Sequence, residues 1–567
     1  MAELSRFRGG PGSGKTTQLI SFISDELGKG VSFDDISIMT FSRSQTEDLK
    51  TRLRNDMPDL SPEQIDKRVA TIDATVYRQC RYTGLFTSDQ NPILQPGDSK
   101  RNGVFQEFMD QHQLDYNPKG WLTDTDDHRR LADIPVGNQL ITLNSYLSST
   151  LRSHNSWHES ASSLGLTLSG DAYNIPELLS AWSEHKIQKE VVEHSDYVRL
   201  ALDHEILPPA SILIIDEYQD VSPLQHALLK HWIAHPDTKR AFVAGDEDQA
   251  IYAFRGCDPN LFLSLDAKDV GSDGMENRPE SHRCPVAIMN VAERVLGKQS
   301  NVSAHTRWKG RAAHQKCPHA HDLIELVEAG IKHLHGNSMP ENLSKKMFIL
   351  SRFNDNAKKI ARTLAKHGIP CMGIKESRNK VWTATIAGKR IDLNELKCVI
   401  QKYLTPGSEV DYDEAITFVH SLSGIDGIRY HDIIAELTSL DKHTILRAEH
   451  LHQITRGRKD DILDRLNLTQ KQIDQIRACL HRDARRGFTI PPDMIQIDTI
   501  HASKGLESPI TLLHSGYLKN RYSDLVIPER NAEERRVFFT AVTRTSKNLV
   551  IVDYGKSPVC PLLEEVI

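Results

Sequence analysis

Short apolar runs rich in β-branched residues recur along the chain and end in glycine, acidic or hydroxyl residues. Such runs are typical of buried strands in parallel sheets, because helices cover both faces of those sheets. The runs are Ile36–Phe41, Ile212–Asp216, Ala241–Gly245, Phe348–Ser351, Ile495–Ile500, Ile510–Leu513 and Leu549–Tyr554. Helical patterns follow many of them, which predicts an α/β fold. Examples are Gly14–Glu26, Ser44–Leu53, Pro223–Ala234 and Asn356–His367.

The strand-like runs are clustered rather than evenly spread. They lie near the N-terminus and at 211–256, 346–375 and 493–555. The segments between the clusters, roughly 82–205 and 376–490, are polar and mainly helical in pattern, with Leu463–Leu480 as an amphipathic example. A chain of 567 residues is long for one hydrophobic core. The pattern therefore predicts two α/β cores, each interrupted by a helical insertion.

Charge and cysteine usage exclude several classes of protein. The net charge of −6, with both signs mixed, argues against a uniformly basic surface but allows a local basic groove. The eight cysteines are scattered without a Cys-x-x-Cys pair, which indicates a reducing compartment. The N-terminus lacks the apolar core of a signal peptide, and no apolar run is long enough to span a membrane. We therefore expect a soluble cytoplasmic protein that does not bind membranes.

One group of side chains could bind a metal ion. These residues are His314, Cys317, His319 and His321. Their spacing could serve zinc, but a clear second pair of ligands is missing. A solvated histidine-rich turn is the favoured interpretation.

The strongest chemical motif is a phosphate loop of the pattern G-x-x-x-x-G-K-[ST]. It consists of Gly9, Gly10, Pro11, Gly12, Ser13, Gly14, Lys15 and Thr16. Glycines let the backbone N–H groups point at phosphates, and the next helix presents its positive end to the same anion. Lys15 is expected to reach the β- and γ-phosphates, and Thr16 to bind Mg²⁺. The motif predicts binding of a nucleoside triphosphate.

A second motif narrows the range of reactions that the phosphate loop allows. The apolar run 212–215 ends in Asp216 and Glu217. Asp216 can hold Mg²⁺ through water, and Glu217 can orient and deprotonate an attacking water. A small-molecule kinase needs no such second carboxylate, because its acceptor brings its own hydroxyl. The pair therefore favours hydrolysis, with an acidic strand end at a sheet edge as the alternative.

Further segments resemble, in order, the motifs of superfamily 1 DNA helicases of the UvrD/Rep (PcrA-like) family. They are Thr40–Arg43 with Leu49–Leu53, Asp216–Gln225, Val243–Gly256, Ser281–Pro285, Asp498–Glu507 and Glu533–Arg544. With the phosphate loop they make seven ordered matches. The resemblance implies two RecA-like P-loop NTPase cores with parallel sheets, each carrying a mainly helical insertion. The implied boundaries are 1–81 and 206–290 for the first core, 82–205 for its insertion, 291–375 and 491–567 for the second core, and 376–490 for its short insertion.

The resemblance also implies residue roles around an ATP bound between the cores. The catalytic set is Glu217, Gln249, Arg283 and Arg544. The nucleotide-binding set is the phosphate loop with Thr17, His282 and Glu507, and the metal-binding set is Thr16 and Asp216. The DNA-binding set is Thr40, Phe41, Thr71, Tyr252, Phe254, Arg255, Thr499 and His501. Aromatic members would stack on bases of any sequence. A surface salt bridge for Arg283, and core packing for Tyr252 and Phe254, are the alternatives.

The implied function is an ATP-dependent, Mg²⁺-requiring DNA helicase that moves 3′ to 5′ on single-stranded DNA in repair, recombination or replication. The expected partners are single-stranded DNA, single-strand/duplex junctions, and repair or replication proteins, with the chain as a monomer or weak dimer at the nucleoid. The alternative is a translocase or motor subunit that displaces proteins or supports a nuclease or polymerase with little unwinding. Relatives read adenine with a glutamine upstream of the phosphate loop. Only eight residues precede Gly9 here, so adenine selectivity is not implied.

Overall fold

The computed structural model describes residues 2–86, 93–98, 100–119, 121, 134–270, 279–305, 309–336, 345–374, 382–386, 389–422, 430–455, 462–491 and 493–566. The strands within these ranges are β1 (Glu3–Arg8), β2 (Ile36–Thr40), β3 (Val69–Thr71), β4 (Ile212–Ile215), β5 (Arg240–Gly245), β6 (Lys268–Asp269), β7 (Glu280–Pro285), β8 (Ser303–His305), β9 (Arg311–Cys317), β10 (Met347–Ser351), β11 (Thr383–Ile386), β12 (Lys389–Asp392), β13 (Glu409–Val410), β14 (Leu446–Arg447), β15 (Ile495–Thr499), β16 (Ser508–His514) and β17 (Thr545–Tyr554).

Two parallel sheets form the framework of the molecule. The first has the strand order β3-β2-β4-β5-β1-β6, and the second has the order β15-β10-β16-β17-β9. Every residue of β2, β4 and β15 is buried, as expected for strands covered on both faces. The α/β prediction is confirmed, and each predicted strand matches an observed one with small shifts at its ends.

The helices within the described ranges connect and cover these sheets. They are α1 (Lys15–Gly28), α2 (Arg43–Asp56), α3 (Pro62–Arg68), α4 (Ile72–Tyr82), α5 (Asn102–Gln111), α6 (Val136–Ser149), α7 (Trp157–Leu164), α8 (Ile175–Gln188), α9 (His194–Asp203), α10 (Pro223–Ala234), α11 (Pro259–Leu263), α12 (Val286–Leu296), α13 (Ala320–His335), α14 (Asn354–Lys366), α15 (Leu393–Leu404), α16 (Tyr412–His420), α17 (Tyr430–Thr438), α18 (Ala448–Thr455), α19 (Gln470–Arg486), α20 (Pro528–Val542) and α21 (Pro561–Glu564). Within the described segments, every helix is too short or too polar to cross a membrane.

One predicted helix begins later than expected. The pattern predicts a helix over Leu463–Leu480, but α19 begins at Gln470. Thr469 and Gln472 form a capping box that satisfies the first free N–H groups of α19. The apolar residues before it belong to a short 3₁₀ turn, Leu463–Arg465. A local cap therefore sets the start of the helix within a longer apolar pattern.

The buried apolar side chains form separate clusters. Two clusters cover the two faces of the first sheet, and helix α9 contributes Tyr197 and Val198 to one of them. The helices of 102–188 enclose a cluster of their own around Phe105 and Trp182. Two more clusters cover the second sheet, and one of them continues into the helices of 393–451.

Candidate functional site

The phosphate loop joins β1 to α1 and has the conformation that its glycines allow. Gly12 and Gly14 have φ angles of 71° and 86°, in the left-handed region that disfavours side chains. The Lys15 ammonium group donates a 2.7 Å hydrogen bond to the Gly9 carbonyl. The buried Ser13 hydroxyl has no hydrogen-bond partner in the part of the chain that the structure describes. The loop therefore holds a lysine and an unpaired hydroxyl at the positive end of α1.

Strand β7 lies directly against this loop. The Ser281 hydroxyl donates to the Pro11 carbonyl at 2.7 Å, and the His282 N–H donates to the Gly12 carbonyl at 2.8 Å. A Cβ added to Gly12 would lie 2.7 Å from the Cβ of Arg283. Glycine is therefore required at position 12 by both its φ angle and this close approach. The contact brings Arg283 beside the phosphate loop.

The two acidic residues lie at the carboxyl end of β4. Asp216 is buried, and burial together with Glu217 raises its pKa to about 7. Glu217 has a φ of 56°, a strained backbone conformation for a residue with a side chain. Burial would raise the pKa of Glu217, but the charges of Lys504 and Lys15 lower it below its usual value. Glu217 is therefore a carboxylate at neutral pH.

A chain of amide contacts links Glu217 to the loop after β5. The Gln219 side-chain amide donates to the Glu217 carboxylate, and its oxygen accepts a 2.9 Å hydrogen bond from the Asp246 N–H. The Gln249 amide in turn donates to Asp246 Oδ2 at 2.5 Å. The predicted catalytic residues Glu217 and Gln249 are thus joined through Gln219 and Asp246.

Arg544, at the end of α20, reaches this chain from the second sheet. Its side chain is 1% exposed, and its Nη2 donates to Gln249 Oε1 at 2.5 Å. Nε and Nη1 donate to the Thr540 and Leu506 carbonyls at 3.0 and 3.1 Å. Burial and the charge of Arg283 lower the pKa of Arg544 to about 9, which leaves it charged at neutral pH. The structure therefore brings Gln249 and Arg544 into direct contact.

Arg283 and Glu507 contact each other. Arg283 Nε donates to Glu507 Oε2 at 2.5 Å, and this charge lowers the pKa of Glu507. The side chain of Arg283 is mostly buried, while that of Glu507 is half exposed. Arg283 therefore forms a salt bridge, as the alternative interpretation expects, and it also lies beside the phosphate loop, as its proposed catalytic role requires.

Lys504 is a central residue that the sequence reasoning passed over. Its buried ammonium group donates to the Asp220 carboxylate and to the Gln249 carbonyl at 2.6 Å, and it lies 4.0 Å from Glu217. Asp220 and Glu217 hold the pKa of Lys504 above its usual value despite burial. Lys504 lies inside the motif 498–507, and its position in that motif was the only signal that the sequence offered.

The predicted aromatic residues form one group across the two sheets. The rings of Phe41 and Tyr252 stack with centroids 4.9 Å apart, and Phe254 lies 6.1 Å from Tyr252. The His501 ring lies 6.0 Å from Tyr252 and 5.9 Å from Phe254. The Arg255 guanidinium lies 5.6 Å above the rings of both Tyr252 and Phe254. Tyr252, Phe254 and Phe41 remain partly exposed, so they are not core residues alone.

Three predicted DNA-binding hydroxyls are engaged or enclosed by the chain. Thr40 Oγ1 bonds to Thr46 Oγ1 at 2.6 Å, and Thr71 Oγ1 caps α4 by accepting the Ala74 N–H. Thr499 is fully buried, and its hydroxyl has no hydrogen-bond partner among the described residues. The structure does not present Thr40 or Thr499 as open surface groups.

The remaining nucleotide-binding candidates begin α1 or follow β7. Thr16 is half-buried, while Thr17 and His282 are exposed. The hydroxyl of Thr16 and the carboxylate of Asp216 are the oxygen donors that Mg²⁺ prefers. A bound cation would also compensate for the burial of Asp216. These residues therefore fit a Mg²⁺ ion.

The histidine-rich segment 314–321 does not converge on one point. His314 Nε2 bonds to Asp553 Oδ2 at 2.7 Å, whereas His321 lies 3.5 Å from Glu325 on the exposed face of α13. Cys317 is buried. Among the residues described, no three histidine, cysteine or acidic side chains are grouped as metal ligands.

Two parallel sheets, one of which carries a phosphate loop and a carboxylate pair, define a P-loop NTPase fold with two RecA-like cores. The profile of the UvrD/REP helicase N-terminal domain matches residues 7–269, and that of the UvrD-like helicase C-terminal domain matches residues 433–556. The chain belongs to the UvrD/Rep helicase family.

Individual relatives agree with this assignment. A probable DNA helicase II homolog of Mycoplasma capricolum and the ATP-dependent DNA helicase PcrA of Staphylococcus epidermidis are each 21% identical over 399 residues, covering 60% of this chain and 54% of the relative. A 52-residue stretch, 9% of the chain, is 52% identical to one subunit of an ATP-dependent helicase/nuclease of Pediococcus pentosaceus, of which it covers 4%. The chain spans about half the length of the first two relatives.

Proposed function

We propose that this chain is a DNA-dependent ATPase that moves 3′ to 5′ along single-stranded DNA and separates duplex strands. The observation that carries the proposal is the contact between Gln249 of the first core and Arg544 of the second. It joins the loop beside the phosphate site to a buried cation from the opposite core. The direction of movement rests on the family alone.

Hydrolysis would use residues of both cores. Lys15 and the loop N–H groups would bind the β- and γ-phosphates, and Glu217, ionised at neutral pH, would orient and deprotonate the attacking water. Gln249 would contact this water or the γ-phosphate. Arg544 and Arg283 would stabilise the transferring phosphoryl group, because a guanidinium pairs its N–H groups with phosphate oxygens. Mg²⁺, held by Thr16 and Asp216, would neutralise phosphate charge.

DNA would bind at the aromatic group, and its binding would be coupled to the residues that hydrolyse ATP. Phe41, Tyr252 and Phe254 would stack on bases, and Arg255 and His501 would flank them. Lys504 offers a physical link, because its ammonium group lies 5.1 Å from the Tyr252 ring and bonds to the Gln249 carbonyl. A shift of Tyr252 on DNA binding would therefore displace Lys504 and change its hydrogen bond to Gln249.

The proposed domain organisation follows the same division. The first core would comprise 1–81 and 206–290 with insertion 82–205, and the second 291–375 and 491–567 with insertion 376–490. The separate cluster around Phe105 and Trp182 supports the first insertion as a unit. Helix α9 packs with the first sheet, which favours moving that boundary to about 192.

Further properties are proposed from the relatives. Relatives named as DNA helicases support DNA as a partner. Single-stranded DNA, single-strand/duplex junctions, and repair or replication proteins are the particular partners that we propose. We also propose that the chain is a cytoplasmic, nucleoid-associated monomer or weak dimer. It would act in DNA repair, recombination or replication. ATP is the proposed nucleotide.

Two assays test the proposal in sequence. ATP hydrolysis is measured with and without oligo(dT), and strong stimulation is expected. An ATPase that ignores single-stranded DNA would refute the motor. Displacement of a labelled strand from duplexes with a 3′ or a 5′ single-stranded tail then tests unwinding and direction. DNA-stimulated hydrolysis without displacement would favour the translocase or motor subunit.

A further inference from the structure

The two parallel sheets repeat the same topology. Taken in chain order, β1, β2, β3, β4 and β5 of the first sheet correspond to β9, β10, β15, β16 and β17 of the second. Their spatial orders, β3-β2-β4-β5-β1 and β15-β10-β16-β17-β9, are then identical. Each loop at the carboxyl end of the second sheet therefore has a counterpart in the first.

The counterpart loops of the second sheet line a cavity. In the first sheet, the loops after β1, β4 and β5 carry the phosphate loop, the carboxylate pair and Gln249. In the second sheet, residues that end or follow β9, β16 and β17, together with the first turns of α14, enclose about 900 Å³. This volume suits a nucleotide-sized ligand. In open α/β sheets, ligands bind outside the carboxyl ends of the strands.

The lining of this cavity carries an excess of positive charge. Its cations are Lys359, Arg362, Lys519 and Lys556. No ion pair is found for any of the four among the described residues, and all four are exposed. Asp355 is the one carboxylate among the described lining residues, and it faces Lys358 at 3.9 Å. Cations around a concave surface concentrate the field on an anionic ligand.

Aromatic rings and hydroxyls complete the lining. The partly exposed ring of Tyr554 provides flat apolar surface, and Thr363 Oγ1 lies 2.9 Å from the Tyr554 hydroxyl. Cations beside aromatic rings suit a ligand that has both phosphate and a planar group.

The groups needed for hydrolysis are missing from these loops. Residues 318–320, after β9, read Pro-His-Ala, with neither the glycines nor the lysine of a phosphate loop. Ser515 and Gly516 follow β16 where Asp216 and Glu217 follow β4. The cavity has the position and charge of a phosphate site without its catalytic residues.

We propose that this cavity at the carboxyl ends of β9, β16 and β17 binds a phosphate-bearing ligand without hydrolysing it. The phosphate comes either from a free nucleotide or from the backbone of single-stranded DNA. Lys359 and Lys556, which lie on different elements of the rim, would contact the phosphate oxygens. This site is separate from the ATP site and does not depend on the proposed motor activity.

Calorimetric titration of the full chain with sodium pyrophosphate tests the site. A Lys15→Ala background weakens the phosphate loop, so that the remaining binding reports on other sites. Adding Lys359→Glu and Lys556→Glu should weaken this binding by about tenfold or more, because each lost charge-assisted hydrogen bond is worth about that factor. The matched control, Lys366→Glu with Lys471→Glu, changes two exposed lysines equally and should bind as the background does.

A second measurement uses the unaltered chain and identifies the source of the phosphate. Acetylation of lysines is followed by mass spectrometry with AMP, oligo(dT) or neither. Protection of Lys359 and Lys556, but not of Lys366, by AMP indicates a nucleotide site, and protection by oligo(dT) alone indicates the DNA backbone. The proposal is overturned if pyrophosphate does not bind the Lys15→Ala chain, or if the charge reversals and the control weaken binding equally.

Discussion

Replacement of Arg544 by lysine separates a catalytic role from a structural one. The change keeps the positive charge but removes the planar fork that bonds to Gln249, Leu506 and Thr540. A lysine ammonium group cannot reach all three acceptors, and each buried carbonyl left without a donor costs about 1–3 kcal/mol. Single-domain stability is about 5–15 kcal/mol, so the variant should remain mostly folded.

The expected catalytic loss is much larger than this structural effect. Arginines that stabilise phosphoryl transfer contribute about 10³–10⁵ in rate. We therefore expect the kcat for DNA-stimulated ATP hydrolysis to fall by about a thousandfold or more, equal to about 4 kcal/mol of barrier. ATP binding should change little, because the phosphate loop is untouched. The assay is steady-state hydrolysis at saturating ATP and oligo(dT), with ATP affinity measured separately.

Arg352→Lys is the matched control. Arg352 is also 1% exposed, and it bonds to Glu534 at 2.6 Å in the second core, far in sequence from the phosphate loop. Its replacement should lower thermal stability by a similar amount and leave the kcat of the folded protein largely unchanged. If Arg544→Lys retained kcat within about tenfold of the unaltered chain, the transition-state role of Arg544 would be wrong.

Three further predictions follow from single residues. Glu217→Gln should lower ATP turnover by about 10²–10⁴ while nucleotide titrations still show binding, and unchanged turnover would refute the assignment of the base. Tyr252→Ala should weaken binding of oligo(dT) and of mixed-sequence strands alike, by about 1–3 kcal/mol in fluorescence anisotropy. Tyr82→Ala, which removes a ring that is 88% exposed, should leave DNA binding unchanged. Equal losses of DNA affinity in the two variants would argue against stacking at Tyr252. Burial lowers the pKa of His514 to about 4, so the unfolded chain takes up the proton first as pH falls. Stability should therefore decline from about pH 6.5 to 4, by about 3 kcal/mol from this residue, and urea unfolding of His514→Asn should show less decline. Equal pH dependence of the stability of the unaltered chain and of the variant would contradict this role of His514.

The strands and the phosphate loop could be predicted because their signals are local. A strand buried on both faces is a continuous apolar run, and the loop requires glycines at fixed spacing. Contacts between the cores have no such local signal. Lys504 and Asp220 are 284 positions apart, and only the closed arrangement of the two sheets brings them together. The burial of Thr499, which the resemblance places in the DNA-binding set, could not be predicted for the same reason, since burial depends on elements distant in sequence.

The contacts between the cores also suggest how the cleft could open without a large cost. Lys504 and Arg544 are buried cations of the second core, and their charged groups donate hydrogen bonds to polar side chains of the first core. Removing such charges from water offsets most of the Coulombic gain of the pair, so a buried ion pair adds little net stability. Separating the cores would return these charges to water and recover that desolvation. These buried polar contacts therefore add little to the free energy that favours the closed arrangement of the cores over an open one. A ligand that prefers either state by a few kcal/mol is then enough to shift the population. Binding and hydrolysis of ATP beside Gln249 can therefore shift the population between the closed and open arrangements of the cores.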